Sequence, residues 1–173
     1  MKKLIFLVSV CLAAAAPAAA QQISSVYTST TTKSCRTIES NPNEAGWYRG
    51  RCKGVGGYLL ELTEGDLRQS LVVVTPAKKD FDLNFGSYYS SFSAVGEKVE
   101  WRTKRGVPFA LIARFNVSDP ENSEKTTSYL MVAKVGKKES CVVDIIEPGP
   151  KQNERAREAA DSAASKPCRS SGD

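Results

Sequence analysis

The sequence predicts an α+β fold: a mainly antiparallel β-sheet of six to eight strands in hairpins and meanders, one C-terminal α-helix, and disulfide staples. Three observations predict it. Short β-branched and aromatic runs recur between turn residues. The one stretch with a convincing helical period comes last, and strands followed by a helix suggest α+β. Four cysteines remain once the N-terminal leader is set aside, and an even number in an exported chain implies a disulfide framework.

The leader has three parts. Lys2 and Lys3 open it, residues 4–12 (LIFLVSVCL) are apolar, and residues 13–20 are alanine-rich and end in Ala18-Ala19-Ala20. This pattern predicts a secretory signal over 1–20, cleaved after Ala20. Its strongly apolar part is too short for a spanning helix, which needs about 20 residues. Cys11 follows Val10, not the small residue that a lipid-attachment signal requires. Residues 21–173 then form one mature domain, with no later segment apolar enough to span a membrane. Loss of Lys2 and Lys3 lowers the net charge from +5 to +3. That mild excess gives no concentrated basic stripe and no reason to expect nucleic acid.

The elements follow in order. Residues 26–35 (VYTSTTTKSC) are β-prone, either a first strand or a frayed segment, and 41–46 read as a loop. Residues 47–52 form a short strand. Gly54, Gly56 and Gly57 make a turn, and 58–63 and 70–75 are strands around a turn at 64–68. Residues 76–93 lack a clean period and read as a long loop with at most a short turn of helix. Residues 98–102 and 107–117 form a hairpin across 103–106. In its second strand Phe109, Leu111, Ala113, Phe115 and Val117 share one face, which predicts a sheet with one wet side. A second hairpin joins 126–135 to 140–146. Ala156, Ala159, Ala160, Ala163 and Ala164 form a helical stripe within 153–165, with Asn153 as N-cap and Arg157 and Asp161 spaced to pair. Pro167 ends the helix.

Cys35, Cys52, Cys141 and Cys168 allow three disulfide pairings. Cys35–Cys52 with Cys141–Cys168 is preferred, because each closes a local unit. A zinc site lacks both C-x-x-C spacing and histidine.

The chain contains no histidine. This removes Ser-His-Asp and Cys-His nucleophilic sets and His-based acid–base work. The residues point to no cofactor, no metal and no catalytic set. A carboxylate hydrolase acting on envelope material through Glu61, Glu64 or Asp66 is the enzymatic alternative, although Glu64 and Asp66 read more simply as a solvated turn. Gly54-x-Gly56-Gly57 precedes a strand and lacks the following Lys-Ser/Thr, so it is not a phosphate loop.

Two groups remain as candidate binding residues. Lys98, Trp101, Arg102, Lys104 and Arg105 form a basic cluster suited to an anionic surface, or else a charged hairpin that blunts a sheet edge. Phe85, Tyr88 and Tyr89, with Phe81 and Phe92, are aromatics suited to a pocket or a partner face. Asn116-Val117-Ser118 matches a glycosylation sequon by chance.

Cys52-x-Gly54-x-Gly56-Gly57-Tyr58, then Glu64-Gly65-Asp66-Leu67-Arg68-Gln69, then an alanine-rich helix before a final cysteine, resembles a group of small exported proteobacterial proteins without an assigned activity. The resemblance spans most of the mature chain. It implies export and disulfides, and it carries over no site residues. The expectation is a periplasmic or extracellular, non-enzymatic binding module whose partner is an envelope protein or an anionic envelope surface. A purely structural envelope component is the other alternative.

Overall fold

A computed structural model describes residues 22–43, 46–122 and 124–170. The predicted signal segment, Cys11 included, lies outside the described residues. Ten strands are present: β1 Ile23–Ser29, β2 Arg36–Asn41, β3 Trp47–Lys53, β4 Leu59–Gly65, β5 Arg68–Val74, β6 Asp80–Asp82, β7 Ser93–Lys104, β8 Val107–Ser118, β9 Thr126–Lys134 and β10 Cys141–Ile146. Helix α1, Gln152–Asp161, follows.

The strand number exceeds the expected six to eight, and two omissions account for most of it. β2 is exposed along nearly its whole length, so its sequence shows no buried alternation. β6 is three residues long and lies in the segment read as a loop.

The sheet runs β10-β9-β8-β7-β5-β4-β3-β2, with β1 added along β7 and β6 along β5. All neighbours are antiparallel except β5 and β7, which meet in parallel at a single pair, Arg68↔Ser93. The sheet therefore has two arms joined at one point. A common core fills the space between them: Leu60, Leu62, Leu71 and Val73 from one arm meet Trp101, Leu111, Phe115 and Met131 from the other.

β4–β5 and β7–β8 are two-residue hairpins. Both central residues have positive φ: Asp66 (51°) and Leu67 (56°) in the first, Arg105 (52°) and Gly106 (77°) in the second. This is the turn geometry that matches strand twist. Gly56 (61°) and Gly57 (83°) turn the chain from β3 to β4, and a Cβ on Gly56 would lie 2.8 Å from Pro108 Cδ.

The second strand of the β7–β8 hairpin departs from the expected wet face. Leu111, Ala113, Phe115 and Val117 enter the main core, whereas Ala110 and Ile112 lie beneath the helix. Phe109 joins the helix side, because a register shift between Arg102 and Thr103 moves it out of phase. Ala156, Ala159, Ala160 and Ala163 form the helix's buried face. The α-helix ends at Asp161, and a 3-10 turn, Ala163–Ser165, leaves Ala164 exposed. Lys151 in a left-handed conformation, not Asn153, occupies the N-cap position. The Pro148-Gly149-Pro150 stretch shifts the entry by two residues, so Asn153 falls inside the helix.

Disulfides join Cys35 to Cys52 and Cys141 to Cys168. The first ties β2 to β3. The second ties the tail beyond the helix to β10, where Arg169 N also donates to Val142 O at 2.8 Å. With the paired cysteines 17 and 27 positions apart in sequence, chain-entropy arguments give about 3 to 3.5 kcal/mol for each.

Candidate functional site

The basic cluster is not a single surface. Trp101 is fully buried, and its Nε1 donates to Thr28 Oγ1 at 2.8 Å. Strand alternation sends it inward with Val99 and sends Arg102 to the opposite face. Arg102 donates two parallel bonds to Asp161, at 2.7 and 2.8 Å, and a further one to Ser25 Oγ at 2.5 Å. Asp161 is thereby taken from its expected helical partner. Arg157 turns instead to Glu100, at 2.8 and 3.2 Å. Lys98 is exposed opposite Ser29, six residues along the strand from Lys104. Lys104 lies over the Phe109 ring at 5.0 Å, and Arg105 is exposed at the hairpin tip.

Glu100 is buried among these groups. Burial pushes its carboxyl up, but hydrogen bonds from Arg157, Ser25 and Tyr27 outweigh that and hold it below the usual carboxylate range. Asp161 holds Arg102 above its ordinary value. The network's geometry is that of a helix-to-sheet tie.

The carboxylates Glu61, Glu64 and Asp66 do not converge. Glu61 is fully buried on the outer face of β4, where Arg49 Nε (2.6 Å) and Arg51 Nε (2.8 Å) donate to it. Glu64 lies on the opposite face and accepts from Gln69 Nε2 at 2.6 Å. Asp66, in the turn, pairs with Arg68.

The aromatic segment gathers at the point where the arms join. Phe85 is fully buried and packs edge-on against Phe115, 5.4 Å between centroids. Tyr88 is half-buried, and its hydroxyl donates to Arg169 O at 3.0 Å. Tyr89 lies against Tyr129 with centroids 4.5 Å apart and planes 30° apart. Burial, then the neighbouring Tyr129, pushes the Tyr89 hydroxyl well above its ordinary range, so it stays protonated. Phe92 is 44% exposed, with the Arg68 guanidinium 5.3 Å from its ring centre.

Three hollows of about 330, 280 and 220 Å3 adjoin here. All three share Ser118. Ser90, Ser91, Asp119 and Pro120 wall two of them, and Phe92 bridges to the third. Together they make an open groove that turns around the end of β8 at Ser118, with Asn116 and Thr126 on one face of the β8–β9 ribbon and Val117 and Tyr129 on the other. Its walls are pinned from both arms. Ser93 N donates to Leu67 O at 3.0 Å and Ser118 N to Phe92 O at 2.9 Å. Arg68 donates to Ser90 O at 3.0 and 3.2 Å. Asp119 Oδ1 accepts from the backbone N of Glu121 and Asn122.

Two features of this groove carry a local cost. Leu67 has left-handed φ and is 53% exposed. That conformation costs an L-residue about 1–2 kcal/mol. The buried Ser93 Oγ, on the core face beside Val117, has no hydrogen-bond partner among the described residues, a state that costs about 1–3 kcal/mol. Sequence reasoning reached Tyr88, Tyr89 and Phe92 by composition. It missed Leu67, Ser93, Asn116, Ser118 and Asp119, which the β4–β5 turn, the start of β7 and the end of β8 bring together. The absence of glycine or asparagine from the Asp66-Leu67 turn was the available signal.

Comparison with protein-family models, with curated proteins and with solved structures finds no match to the chain.

Proposed function

We propose that this chain is an exported, non-enzymatic binding module whose ligand lies in the groove where the two arms of the sheet join. The observation that carries this is the exposed, left-handed Leu67 beside the exposed Phe92, both lining one hollow of a pre-tied groove. Strained and exposed apolar residues set on a rigid frame are what a binding site retains against stability. Export is supported by the two disulfides, which persist in oxidising compartments. Among the described residues no helix is long and apolar enough to cross a membrane.

The test is a titration of the 15N-labelled, oxidised protein lacking residues 1–20 with cell-envelope extract, at low and at high salt. Amide shifts should cluster at 65–69, 88–94 and 116–120 and survive high salt. Shifts confined to Lys104 and Arg105 and abolished by salt would move the function to the basic hairpin, as weak charge-driven contact with an anionic surface.

A further inference from the structure

The groove's polar groups restrict what it can hold. The 280 Å3 hollow draws its lining from both arms of the sheet. Glu64 lines the same hollow and uses one carboxylate oxygen on Gln69. Gln69 is in turn fixed at both ends, since its Oε1 accepts from Val95 N at 2.9 Å. Asn116 Oδ1 accepts from Ser128 Oγ at 2.8 Å, leaving its amide N–H2 for the hollow. Ser118 and Thr126 add hydroxyls. Leu67 and Phe92 add an exposed apolar rim.

The set mixes donors, acceptors and groups that serve as both, next to an apolar rim. Charge narrows the ligand further. Glu64 and Asp119 are the carboxylates along the three hollows, and Arg68 is the cation. Arg68 is spent on Asp66 and on the Ser90 carbonyl. An anionic ligand would meet two carboxylates and no free cation. A neutral polyhydroxylated ligand meets what its hydroxyls need, since each both donates and accepts.

We infer that the 280 Å3 hollow holds one pyranose unit of a neutral oligosaccharide, and that the adjoining hollows hold its neighbours. Glu64 and Asn116 take adjacent hydroxyls, and Phe92 with Leu67 carries the apolar face of the ring. The inference rests on the proposed groove and names its ligand class.

The probes are chitotetraose, cellotetraose and maltotetraose, each titrated alone into the 15N-labelled oxidised protein, with tetralysine as the charged comparison. At least one oligosaccharide should give saturable shifts at Leu67, Ser93, Asn116 and Ser118. Glu64→Gln and Asn116→Ala should each weaken that binding about ten-fold or more, with circular dichroism unchanged. Leu67→Gly separates binding from folding: it should raise the melting temperature of the free protein and still weaken the sugar. No saturable shift with any of the three sugars overturns the inference. Tetralysine shifting the same residues while the sugars do not also overturns it, yet leaves the groove standing. The groove itself falls only if the envelope-extract titration leaves these residues unmoved.

Discussion

Leu67 concentrates the conflict between stability and function in one residue. A two-residue hairpin needs positive φ at both central positions, and glycine meets that need without strain. The β7–β8 hairpin uses Gly106 for this. The β4–β5 hairpin places a half-exposed leucine at the same point. Leu67→Gly should therefore stabilise the protein by about 1 kcal/mol in urea unfolding, while weakening whatever the groove binds. Loss of stability on that substitution would mean that the leucine packs in a way that outweighs its strain. The other site residues were harder to read from sequence for a related reason. Ser93 and Ser118 end strands and Asp119 lies just beyond one, so their meaning arises when distant segments meet, and no local period reports that. Tyr88 and Tyr89 were legible because aromatic clusters need a place to go. Trp101 and Phe85 were legible in the same way, but their place is the core.

At the scale of elements, what was legible follows the strength of the buried pattern. β8 and β9 alternate or run apolar for most of their length, and each strand appears close to where it is expected. α1 was legible from its alanines. β2 was not, because it is fixed by pairing with β3 and by Cys35–Cys52, with few buried side chains of its own. The helix charges show the limit of reading one element alone. Arg157 and Asp161 have the spacing to pair with each other, yet each bonds a β7 residue. Half-buried charges in fixed geometry gain more from such partners than an exposed helical pair does. Glu100 is central to that tie, so Glu100→Gln should cost about 2 kcal/mol at neutral pH. Its carboxyl is held below its ordinary value of 4.5 in the folded state. Its contribution is thus complete above that value and is lost as pH falls through the lower folded value. Wild type and variant should converge in stability as pH drops below about 4.5, measured by thermal melts across the acid range. A constant gap down to the lowest pH would show that the charge on Glu100 is not what holds the helix.

Across the whole molecule, the order in which strands find partners differs from their order in the chain. β2 to β5 pair with sequence neighbours, and so do β7 to β10. β1 does not: Ser24 meets Thr103, 79 residues later. Contacts that close long loops form late and slow. Trp101, whose indole N–H reaches Thr28, reports the docking of β1. Thr28→Ala should speed unfolding and leave the folding rate nearly unchanged in stopped-flow tryptophan fluorescence. A matching loss in the folding rate would place β1 in the nucleus. The late docking also accounts for the composition of β1. A chain synthesised N-terminus first exposes this strand long before its partner follows, with both edges open to any other chain. Apolar strands in that position seed aggregation. Four of the seven residues of β1, Ser24, Ser25, Thr28 and Ser29, are serine or threonine, so the strand can wait unpaired in water until β7 arrives.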